Sequence, residues 1–143
     1  MTEQERGDDM ETRTIGKWTI GLEPPKAREP YPPCGCRSCL NFREAVMDLN
    51  DGERVLFRQL GINPALPDLL SDFPAERDSE RLYLGHYALG GRLLSGPLTA
   101  PENWQEENTA LIGRFRIGFS GGQDLQLEFE AVLPWVLEEP QED

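Results

Sequence analysis

The stretch Arg114 to Glu130, RFRIGFSGGQDLQLEFE, decides the fold class. Phe115, Ile117 and Phe119 alternate with Arg114, Arg116 and Gly118; after Ser120 to Asp124, Leu125, Leu127 and Phe129 alternate with Gln126, Glu128 and Glu130. A period of two sends successive side chains to opposite faces of a strand, so both halves read as strands with one apolar face. Gly121-Gly122 supplies the turn, and the whole is an antiparallel hairpin. On its charged face the arginines of one strand can oppose the glutamates of the other, where cross-strand pairs contribute roughly 0.2–1 kcal/mol each. We read that face as solvated and structural, with a binding face as the alternative.

On the C-terminal side, Ala131 to Leu137 contains Pro134, which argues against a central strand there, and Trp135, placed to plug the edge of the core. On the N-terminal side, residues 95–110 form a polar loop that Leu98 and Trp104 can pin. Before it, Leu82 to Leu84, Tyr87 and Leu89 read as a strand interrupted by a turn or bulge at Gly90-Gly91. Pro67 can open a single helical turn before Leu69 and Leu70, and residues 74–80 are a charged connection.

Two helices precede these strands. Ser38 is a candidate N-cap for a helix over 39–49, whose Phe42, Ala45, Val46 and Leu49 share one face. Asn50-Asp51-Gly52 breaks it, and Val55, Leu56, Phe57 and Leu60 suit a second helix over 53–60 that Gly61 ends, with Ile62 placed for the closing contact. Residues 13–22 favour one further strand, whereas five prolines in residues 24–33 exclude ladder and helix alike. The order lacks βαβ alternation. It predicts an α+β fold over residues 13–137, a single domain with an antiparallel sheet and two short helices packed on one side.

The 143 residues suit one domain. Against 26 acidic residues stand 14 basic ones, a net of −12, which argues against a binder of phosphate backbones. The acids crowd the ends: residues 1–12 and 138–143 carry −8 of that charge and read as disordered acidic tails. With no apolar run long enough for a membrane span or a signal-peptide core, no membrane role is expected and the predicted location is cytoplasmic.

All three cysteines fall within Cys34-Gly-Cys36-Arg-Ser-Cys39. Thiolates are preferred ligands of structural zinc, a C-x-x-C turn aims two sulfurs at one point, and Gly35 frees the chain to bring the third. Cys39 stands at the start of a helix, where the dipole favours the thiolate that metal binding needs. His86, the one histidine, is the candidate fourth ligand. Two other readings stay open: reduced thiols packed in a loop, and redox chemistry by Cys36-Arg-Ser-Cys39 at a helix N-terminus. No catalytic residue set emerges, since no G-x-S-x-G and no phosphate loop is present.

Taken together, CGCRSCLNF at 34–42, LGINP at 60–64, YLGHY at 83–87 and LEFEAVLPWVL at 127–137 resemble a family of small uncharacterised bacterial proteins with a C-x-C-x-x-C-x-N-F block, a central Y-x-G-x-Y block and a closing L-P-W-V-L. The resemblance spans about residues 15–137 and implies a single domain without implying an activity. Two functions are expected: an intracellular module binding a protein partner with a basic surface, or a thiol- or metal-dependent enzyme using the cysteine cluster.

Overall fold

The computed structural model describes residues 11–23, 35–99, 103–121 and 124–141. Along the chain lie β1 (Glu11–Ile15), β2 (Trp18–Leu22), α1 (Arg37–Ala45), α2 (Asp51–Leu60), β3 (Leu69–Pro74), β4 (Glu80–Ala88), β5 (Gly91–Ser95), a 3-10 turn (Glu106–Asn108), β6 (Ala110–Ile112), β7 (Phe115–Ser120) and β8 (Gln126–Pro134). The strands form a five-stranded sheet, β3-β4-β8-β7-β6, and a three-stranded sheet, β1-β2-β5, with every pairing antiparallel. The fold is α+β, with two sheets where the sequence suggested one.

The hairpin that set the fold class forms as read: Ile117 opposes Phe129, Phe119 opposes Leu127 and Arg116 opposes Glu130. Its inward side chains meet both helices. Phe129 lies between the rings of Phe42, Tyr87 and Phe115 at 5.8, 5.2 and 5.7 Å, and Phe57 packs edge-on to Tyr87 and Phe115. Offset and edge-to-face contacts of this kind add to the burial term for each ring. Both helices therefore cover the same face of the large sheet. The small sheet joins that core through Trp18, whose ring meets Phe119 at 5.1 Å and whose Nε1 donates to the Pro97 carbonyl.

Several expectations need correction. The strand expected over 13–22 is a hairpin, folded back so that Ile15 opposes Trp18, because Gly16 adopts a φ of 57° that a glycine takes without steric penalty. Its first strand starts at Glu11, so the last two residues of the expected N-terminal tail are in a sheet, while residues 1–10 lie outside the described residues. The first helix begins at Arg37 and ends at Ala45, capped by Cys36 instead of Ser38. The second begins at Asp51 because Asn50 and Glu53 form a reciprocal capping box, with Glu53 N donating to Asn50 Oδ1 at 2.8 Å and Asn50 N to Glu53 Oε1 at 3.1 Å. Its end is as read: Gly61 is left-handed and Ile62 N donates back to the Phe57 carbonyl.

Where a helical turn was expected after Pro67 there is the edge strand β3. Pairing with β4 outweighs the local turn signal, a tertiary effect that propensity does not carry. β8 is the central strand despite Pro134, which occupies its last position, past Ala131 where pairing with β7 stops. The proline's missing donor thus removes nothing from the β7 ladder. The 95–110 loop is pinned by Thr99, not Leu98, which is exposed, and Trp104 is half-buried. Thr99 continues the sheet edge: its N donates to the Phe119 carbonyl, its Oγ1 accepts from Phe119 N and donates to the Asn108 carbonyl. Only glycine fits at 118, since a Cβ there would strike the Thr99 side chain. Residues 138–141 are also held. Trp135 Nε1 donates to the Glu139 carbonyl, Arg37 Nη1 to that of Pro140, and Gln141 Nε2 to that of Glu80. The expected C-terminal tail is therefore docked through Gln141.

Candidate functional site

Cys36 is the N-cap of α1, with extended φ and ψ of −69° and 159°, and its Sγ accepts a hydrogen bond from Cys39 N at 3.4 Å. Cys36 is exposed and Cys39 half-buried. Cys34 lies outside the described residues. His86 sits on β4 between Gly85 and Tyr87, and the alternation of that strand turns Tyr83 and Tyr87 toward the helices and His86 away. Tyr83 Oη donates to the Ser38 carbonyl of α1, which fixes which face is which. The structure thus brings Cys36 and Cys39 together and puts His86 on the far side of the sheet, so these three do not form a common ligand set. Among the described residues no group of three or more His, Cys, Asp or Glu side chains has metal-binding geometry.

The residues that follow the cysteines have structural partners. Asn41 is fully buried; its Nδ2 donates to Tyr83 Oη and the Pro134 carbonyl, and its Oδ1 accepts from Val136 N at 2.7 Å. Tyr87 Oη donates to the Pro64 carbonyl at 2.6 Å. The described parts of the blocks at 34–42, 60–64, 83–87 and 127–137 therefore meet through hydrogen bonds of the buried Asn41 and Tyr87 side chains, which is what a buried amide or phenol requires. Burial pushes the Tyr83 phenol up to about 12, against a smaller opposing contribution from the Asn41 amide, and burial likewise raises that of Tyr87. Both remain neutral donors.

The charged face of the hairpin is more varied than alternation implied. Arg116 opposes Glu130 as expected, but Arg114 lies before the first paired residue and reaches α2 instead. There the fully buried Glu53 carboxylate accepts from Arg114 N at 2.7 Å, Nε at 3.0 Å and Nη2 at 2.9 Å. Burial alone would raise the Glu53 carboxyl; the Arg114 hydrogen bonds, the Asn50 amide and the Arg114 charge outweigh it and hold it below its ordinary value. Nothing in the 53–60 amphipathic pattern marks Glu53 as buried. Its one visible signal is the Asn50-x-x-Glu53 spacing of a capping box. Glu128 is buried as well and accepts from Ser120 Oγ at 2.6 Å.

Beyond those pairs, the face of the large sheet turned away from the helices is partly exposed along β3, β4 and the end of β8 among the described residues, whereas Gly118, Ser120 and Glu128 on it are buried. The register aligns Phe73, Leu82 and Val132 in one row across β3, β4 and β8, with Phe73 and Val132 exposed. The next row runs Ser71, Leu84, Glu130 and Arg116, followed by exposed Leu111 on β6. A third row holds exposed Leu69, then His86 and Glu128. Isolated surface apolar residues are ordinary, whereas residues in register on adjacent strands make one contiguous patch.

A cavity of about 400 Å³ opens between β1, α2 and β6, floored by Ile15, Leu56 and Ile112 and edged by Thr14, Asp51 and Gln59. Asp51 is the single titratable residue in its lining and lies 3.7 Å from Arg54. General acid–base work needs a positioned group of suitable pKa, usually with a partner, and the cavity gathers no such pair. No helix is long and apolar enough to cross a membrane among the described residues. Compared with known protein families, with curated proteins and with solved structures, the chain gives no match.

Proposed function

We propose that the chain is an intracellular module that binds a protein partner on the open face of its five-stranded sheet. The observation that supports this is the in-register apolar row of Phe73, Leu82 and Val132, extended by Leu84 and Leu69 and covered by no described element. Glu80 and Glu130 lie on the same face, and the chain carries −12 overall. The matching partner is an apolar ridge fringed by Lys and Arg, whose charge would speed encounter and fix orientation while apolar contact supplies affinity.

A photo-crosslinking side chain at Phe73 tests it, with the same probe at exposed Met47, next to α1, as control. The expected result is one dominant adduct from position 73, weakened by added salt and by Val132→Glu, at an unchanged melting temperature. Equal adducts from both positions, or none from 73, would refute the reading.

A further inference from the structure

The cysteine pair at the start of α1 is a feature that a docking face on the opposite side of the sheet leaves unexplained. The chain caps its other helix with Asn50 and fills that first turn with Asp51 and Glu53, whereas α1 is capped by sulfur and has no acid in its first turn. Asn, Asp and Ser oxygens are the effective N-caps and sulfur is a weak acceptor, so stability alone does not favour Cys36. In a chain of net charge −12, the helix start without a carboxylate among the described residues is the one that carries two thiols.

Cys36 and Cys39 occupy N-cap and N3, the two positions whose side chains reach each other in a capping box. Helix geometry sets their Cα atoms about 5 Å apart, inside the roughly 4.4–6.8 Å over which disulfides form. The Cys36 sulfur already lies 3.4 Å from Cys39 N. At that spacing a disulfide can close with the helix backbone in place. Exposure separates the roles, since Cys36 is accessible from solvent and Cys39 half-buried.

We propose that Cys36 and Cys39 form a reversible dithiol–disulfide couple that exchanges with disulfide substrates, independently of the docking face. The Cys36 thiolate attacks one sulfur of a substrate disulfide, forming a mixed disulfide and releasing the first substrate thiolate. The Cys39 thiolate then attacks Cys36 Sγ, forming the Cys36–Cys39 bond and releasing the second thiolate. The substrate gains two electrons, the pair loses two, and the two thiol protons end on the released thiols.

The test uses the purified full chain and its Cys34→Ser, Cys36→Ser and Cys39→Ser variants, equilibrated in mixtures of reduced and oxidised glutathione, alkylated and mapped by mass spectrometry. Serine is a good N-cap, so Cys36→Ser keeps α1. The wild type and Cys34→Ser should titrate as one two-electron couple with the disulfide mapped to Cys36–Cys39. Cys39→Ser should stop at a glutathione adduct on Cys36, and Cys36→Ser should lose the couple. Three thiols that stay alkylatable in excess oxidised glutathione would overturn the proposal. So would a disulfide mapped through Cys34, or a zinc ion that shields the thiols until a chelator is added.

Discussion

Replacing Glu53 with Gln removes one charge and almost no volume from the interior. The fully buried carboxylate accepts from Arg114 N, Nε and Nη2 and from Asn50 N, all of them donors. A Gln amide presents one acceptor oxygen and an NH2 group that faces those donors, so at least one hydrogen bond becomes a donor–donor contact and the guanidinium loses its counter-charge. Breaking a buried ion pair costs about 3–5 kcal/mol. The Arg114 side chain is 30% exposed and can be partly rehydrated, which places Glu53→Gln near the lower end, about 3 kcal/mol. Against a typical total of about 5–15 kcal/mol that is a large fraction. Urea unfolding of both proteins from pH 7 down to pH 3 measures it. The folded carboxyl titrates below 4.5, so the stability it contributes is complete above 4.5 and fades as pH falls through the lower folded value. The gap between wild type and Glu53→Gln should therefore be widest near neutrality and narrow in acid. A gap below about 1 kcal/mol at pH 7, or one that stays constant to pH 3, would show that the Arg114–Glu53 contact does not hold α2 to the sheet.

Phe129→Ala should destabilise by about 3–5 kcal/mol, read as a lower urea midpoint, because it empties the space between Phe42, Tyr87 and Phe115; a loss under 1 kcal/mol would contradict the packing. Gly85→Ala should cost about 1–3 kcal/mol, since a Cβ there would strike the Leu69 carbonyl and approach the Phe129 ring. Hydrogen exchange should quicken at β3 in that variant before it does at β7, and uniform quickening would count against a local clash.

Where the chemistry was local, the sequence determined it. Period-two alternation placed the β7–β8 hairpin and its inward side chains, since side-chain direction in a strand follows from backbone geometry alone. The Phe42 stripe and the Gly61 stop likewise placed two helices, because one helical face and one left-handed residue are written within a few positions. Tertiary pairing decided the rest. β3 is a strand because β4 is beside it, and β8 tolerates Pro134 because its neighbour β7 has ended by then. Arg114, one residue before the β7–β8 ladder begins, reaches Glu53, 61 positions away in sequence, since a buried carboxylate takes the strongest donor within reach. The separation of His86 from Cys36 and Cys39 is of the same kind. Spacing along the chain lists which residues could be ligands, but which face of the sheet each one occupies depends on register, and register is settled only when the strands pair over the helices.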